Sequence, residues 1–129
     1  MSNRAFSNLV VDILATSSSS KDFQDEISLG DKLYDEYSSR FLSNFVGLSS
    51  SKGKLVTVFY RGRRAIFSIE KQRTSLKITF NAKLGALTDK SGLLRDVSKI
   101  GHWGSGDYQI KLNNIDYLDY CCDLIKQIY

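Results

Sequence analysis

The chain's only histidine and only tryptophan are adjacent, His102 and Trp103, in the stretch "IGHWGSGDYQI". Gly101, Gly104 and Gly106 surround them and Asp107 follows. Histidine is the side chain that titrates near neutrality without help. Asp107 beside it supplies an orienting carboxylate, and an indole offers a face on which a planar ligand can stack. With Arg95 a few residues upstream, these four make a candidate ligand pocket. A catalytic site needs more: a nucleophile, a metal or a second acid-base group within reach. "SKGKL" and "SLK" do not amount to a Ser-Lys dyad, and no catalytic residue is assigned. The architectural account is simpler. Gly101 stops a helix, Gly104 and Gly106 turn the chain into a strand, Trp103 fills the gap between helix and sheet, and Asp107 caps an amide.

A second set of residues is basic. Residues 52–99 hold twelve Lys and Arg against three acids, whereas both flanking segments are net acidic. "YRGRR" sets Arg61, Arg63 and Arg64 on one hairpin tip beside Tyr60. Lys54, Arg73 and Lys77 extend that surface across the exposed side of a sheet. Guanidinium groups beside an aromatic ring suit a phosphodiester backbone and a stacked base. Lysines at outward strand positions are also ordinary edge protection, so the cluster reads equally as a solvated surface. No base-reading helix motif is present; contact with nucleic acid would follow shape and backbone.

Cys121 and Cys122 are neighbours in a helical pattern, where successive side chains diverge by about 100°, so a mutual disulfide is not expected. Two cysteines and one histidine without ligand spacing give no metal site and imply no cofactor. A reduced, cytoplasmic setting is the expectation. No apolar run approaches the roughly 20 residues of a membrane span. Asp12 interrupts the apolar stretch near the start, so an export signal is not expected either.

The elements that must position these residues follow from periodicity. A chain of 129 residues with 42% apolar and 25% charged residues is most simply one soluble domain. Phe6, Leu9, Val10, Ile13 and Leu14 predict a helix over 4–15, an element that packs on the domain, an arm from an upstream region or a contact for self-association or another partner. "TSSSSKD" is a joint, so residues 1–20 are set apart from a domain over 21–129. Leu33, Tyr34, Tyr37, Phe41 and Phe45 share one face of a helix over 31–46, with Asp31 as its cap and Gly47 as its end. "GLSSSKGK" reads as a loop; "LVTVFY" and "AIFSI" form a hairpin around Gly62. "SLKITF" and "DYQIKL" alternate, with Leu76, Ile78, Phe80, Tyr108, Ile110 and Leu112 inward and Lys77, Thr79, Gln109 and Lys111 outward. Leu93, Val97 and Ile100 predict a short helix over 90–99. Asn113 with Asp116 suggests a cap for a last helix over 114–128. The expected fold is a two-layer α+β domain with a roughly four-stranded, mainly antiparallel sheet, helices packed on one face, in the order α-α-β-β-β-α-β-α.

From Gly92 onward the sequence resembles an uncharacterised bacterial and archaeal domain family whose members often carry the label "predicted transport protein". The shared block is Arg95-Asp96-Val97-Ser98, then Ile100 to Gly104, Gly106 and Asp107; a helix with Asp119, Tyr120, Leu124, Ile125, Lys126 and Gln127 follows. The resemblance implies an α+β domain, often C-terminal in restriction-type nuclease chains, and with it an upstream nuclease-like partner for the helix over 4–15. It supplies no catalytic residues. The same block suggests a clamp in which Arg95 pairs with Asp107 and ties the short helix to the last strand. The reading of function is a non-catalytic accessory module contacting nucleic acid. The alternatives are a protein-interaction or dimerisation domain, and a small-ligand sensor or enzyme built on the His-Trp-Asp pocket.

Overall fold

The computed structural model describes residues 27–101 and 105–129. The predicted helix over 4–15, and with it the joint and the proposed contact element, lies outside the described residues. The first helix, α1 (Leu29–Asn44), opens with a reciprocal capping box. The Ser28 hydroxyl accepts from the Asp31 amide at 3.1 Å, and the Asp31 carboxylate accepts from the Ser28 amide at 3.2 Å. Asp31 is therefore the third helical residue and not the cap itself, because serine one turn earlier reaches the same free amides. Gly47, with φ of 87°, lies just beyond the helix end.

Five strands follow first: β1 (Leu48–Lys52), β2 (Thr57–Arg61), β3 (Arg64–Lys71), β4 (Leu76–Phe80) and β5 (Arg95–Asp96). Then come β6 (Tyr108–Leu112) and α2 (Leu118–Ile128). The strands form one sheet in the order β1-β2-β3-β4-β6-β5, every pair antiparallel. The fold class is α+β, as expected, but the sheet has six strands and not four. The two additions have different causes. Residues in "LSSSK" point serines to solvent on both faces, so β1 carries no hydrophobic alternation; it is a strand because it pairs along all of β2. Residues 90–99 are not helical. The Asp89 carboxylate accepts from the amides of Leu93 and Leu94, which a helix would have aimed at backbone carbonyls, and Gly92 adopts φ of 64°. The chain then runs extended as β5 beside β6.

The last helix begins at Leu118, four residues later than its sequence suggested. The Asn114 side chain accepts from the Asp116 amide at 2.9 Å, an Asx turn that holds 113–117 out of the helix.

The main core lies between the two helices and one face of the sheet. Tyr37 and Phe41 of α1, Cys121, Leu124 and Ile125 of α2, and Phe59, Phe67, Ile78 and Phe80 of the sheet are all buried there. Phe59 and Phe67 stack at 4.5 Å and Phe41 meets Phe67 edge-on at 5.2 Å. A bulge opposite Phe59 and Tyr60 puts one extra residue into β3, so Ile66 and Phe67 both enter the core.

Candidate functional site

The face of the sheet away from the helices carries the sheet's chemistry. Strand register fixes two rows on it. One runs Val58, Ser68, Thr79, Gln109, Arg95 across five strands. The next runs Glu70, Lys77, Lys111 across three. Thr79 and Gln109 point outward as their alternation predicts, yet they are buried, at 2% and 5% exposure. The expectation of an open outer face is corrected here. Val97 is buried but stands apart from the main core cluster, and with Ile100 and Gly101 it shares a cleft with Gln109 on this side. The Gln109 side-chain amide donates to Thr79 Oγ1 at 3.1 Å. Ser68 Oγ, next in the row, is buried without a hydrogen-bond partner among the described residues.

Two clefts open on this face. The larger, about 240 Å³, is lined by Glu70, Lys77, Arg95, Val97, Ile100, Gly101 and Gln109. The smaller, about 130 Å³, has Tyr60, Ser68, Asn81 and Ser105 in its walls.

Of the four pocket residues expected from sequence, His102 and Trp103 lie outside the described residues. Arg95 lines the larger cleft. Asp107 is engaged elsewhere: its carboxylate accepts from the Leu84 amide at 2.8 Å, its amide donates to Ala82 O, and its carbonyl accepts from the Val97 amide. Among the described residues Arg95 and Asp107 form no ion pair, so the clamp is corrected. The link between 95–97 and the last strand is a backbone ladder.

The expected basic surface divides. Arg61 and Arg64 turn to the end of α2: Arg61 donates to the Tyr129 main-chain oxygen at 2.5 Å, and Arg64 donates to the oxygens of Ile128 and Tyr129 at 3.0 and 2.9 Å. Arg61 also lies over the Tyr129 ring at 4.5 Å. They satisfy carbonyls that a helix end leaves unpaired and complement its negative pole. Arg63 stays exposed at the tip. Lys54 and Arg73 belong to the other end of the sheet, the length of β3 away, roughly 25 Å at strand rise. There Lys54 joins Lys52 and Lys71 around Tyr34, whose ring both of the latter approach at 5.6 and 5.7 Å. Lys77 is on the face away from α1 and α2, where the sequence put it.

Lys111 and Gln109 were legible as outward positions but not as neighbours of Lys77 and Arg95, since register is a tertiary property. Ser68 gave no signal at all. The thiols are poor nucleophiles: burial, and then Cys122 beside it, push Cys121 up to about 12, and burial raises Cys122 as well. No cluster of metal-ligating side chains occurs among the described residues. Nor, among them, is any helix long and apolar enough to cross a membrane.

No family model matches the sequence, and no solved structure matches it. The chain is similar to an uncharacterized protein of Haemophilus influenzae, 35% identical over 113 residues. The match covers 83% of this chain and 37% of that relative, so the chain spans well under half of the relative's length.

Proposed function

We propose that this domain is a non-catalytic binding module that contacts the nucleic-acid backbone through the face of its sheet away from α1 and α2, as an accessory segment of restriction-type systems. The observation that carries this reading is the register that sets Lys77 directly opposite Lys111, with Arg95 opposite Gln109 in the adjoining row. Like charges facing each other across strands destabilise a sheet. A polyanion laid over them reverses that cost and releases counterions. Glu70, paired with Lys77, neutralises only part of the charge. The hairpin arginines Arg61 and Arg64 drop out of the contact set because the end of α2 occupies them. Arg63 and Tyr60 remain at its margin.

The test is the salt dependence of binding to a labelled oligonucleotide. Replacing Lys77, Arg95 and Lys111 together by Gln should weaken binding and reduce the log-log salt slope by about 2–3, at 0.7–0.9 per phosphate contact. An unchanged slope in that variant rejects the proposal.

A second reading, self-association, draws on β1: among the described residues it has a partner on one side only, and its serines leave a polar edge on which another strand could pair. Sedimentation that shifts with concentration, and loses the shift on Ser50→Pro, would favour it.

A further inference from the structure

We propose that the sheet face away from α1 and α2 receives a single strand and not a duplex, with one unstacked base seated in the cleft between Tyr60 and Ser105. The inference rests on the reading above and names the form of nucleic acid that the face takes. The cleft's volume, about 130 Å³, equals roughly four waters and suits one aromatic ring. Tyr60 forms one wall and is half-buried, which fixes a ring face without sealing it. Val58 and Ala65 add apolar surface beside it. Ser68 contributes to the lining, and its Oγ, in a residue only 3% exposed, has no partner among the described residues. Buried hydroxyls are nearly always hydrogen-bonded, so this one marks a missing polar group. The edge of a base supplies both donors and acceptors; the faces of that base stack on tyrosine whatever the sequence.

The cations stand at the right distance from this cleft. Ser68 and Gln109 are separated by one intervening strand, about 10 Å at the usual spacing. Lys77, Arg95 and Gln109 line the larger cleft at that remove. One nucleotide can therefore place its base against Tyr60 while a neighbouring phosphate reaches Lys77 and Arg95. A duplex keeps its bases stacked and paired inside, so it would present phosphates to the face and leave the smaller cleft unused.

The experiment measures anisotropy of the full chain with three labelled probes of equal length: a thymidine oligonucleotide, an abasic strand and a duplex. The thymidine strand should bind about tenfold more tightly than the abasic strand, the effect of one stacked base. Tyr60→Leu should remove that difference, and a circular dichroism spectrum and unfolding midpoint close to the parent's show that the variant is folded. Ser68→Val, which fills the cleft and deletes the hydroxyl, should act in the same direction. Equal binding of the thymidine and abasic strands overturns the inference, as does a duplex that binds as tightly as the thymidine strand. Either result leaves the backbone contact standing. If none of the three probes binds in a salt-dependent way, the underlying reading fails as well.

Discussion

At single-residue scale, two carboxylates hold backbone amides. Asp107 holds the Leu84 amide, and Asp89 accepts from Leu93, Leu94 and the Tyr120 hydroxyl. Together they pin the 83–94 segment to the last strand and to α2. Gln127 adds a pair of bonds to Thr88, donating to its carbonyl at 2.9 Å and accepting from its amide at 2.7 Å. Partial burial pushes Asp89 up, but the Tyr120 hydroxyl and the nearby amides pull further the other way, so its carboxyl sits below the ordinary aspartate range. A depressed carboxylate contributes stability that is complete above its unfolded value, about 4, and is lost as pH falls through the folded value. Asp89→Asn should therefore be less stable than the parent at pH 7. The difference should shrink as pH drops below about 4, and urea midpoints across that range measure it. A gap that stays constant with pH would mean that shape, not charge, makes the contact.

At the scale of elements, the β2–β3 hairpin and α2 stabilise one another. The hairpin lends Arg61 and Arg64 to the oxygens of Ile128 and Tyr129, and the Tyr129 hydroxyl donates to the carbonyl of Val46, in the link between α1 and β1. Charge at a helix C-terminus contributes about 0.3–1 kcal/mol at an exposed site. Arg64→Gln should lower the unfolding free energy by an amount in that range and speed amide exchange in the last turn of α2. It should leave the salt slope of oligonucleotide binding where it was. A loss of slope would return this arginine to the phosphate-contacting set. The ion pair between Lys71 and Asp31 at 2.5 Å is more than one-third exposed on both sides, so it adds little beside the capping box at the same helix end.

For the whole molecule, α1 is the element that joins the ends of the described chain. Tyr37, fully buried, donates its hydroxyl to the Asn114 carbonyl at 2.8 Å, across 77 residues of sequence. Burial raises its phenol well above the ordinary range, so it remains a donor at any working pH. Phe41, also fully buried, sits between Tyr37 and Phe67 and links α1 to the sheet. Phe41→Ala should cost about 3–5 kcal/mol, enough to unfold a large share of a domain of ordinary stability. Denaturant titration monitored by circular dichroism checks it. A cost near 1 kcal/mol would mean that α1 is not integral to the core.

Much of this could be read along the chain. Alternation at Leu76, Ile78 and Phe80, and again at Tyr108, Ile110 and Leu112, identified the inward rows, because a strand's two faces are a local property. The helical stripe from Leu33 to Phe41 did the same for α1. What stayed hidden depends on neighbours far apart in sequence. Leu93 and Val97 look like one helical face, yet Leu93 packs against the main core while Val97 is buried apart from it. The serines of β1 become a strand only beside β2. Arginines at the hairpin tip looked free until the end of α2 came within reach. Side-chain type and spacing specify which surfaces must leave water; the pairing of distant segments chooses which cations stay exposed, and no local pattern encodes that choice.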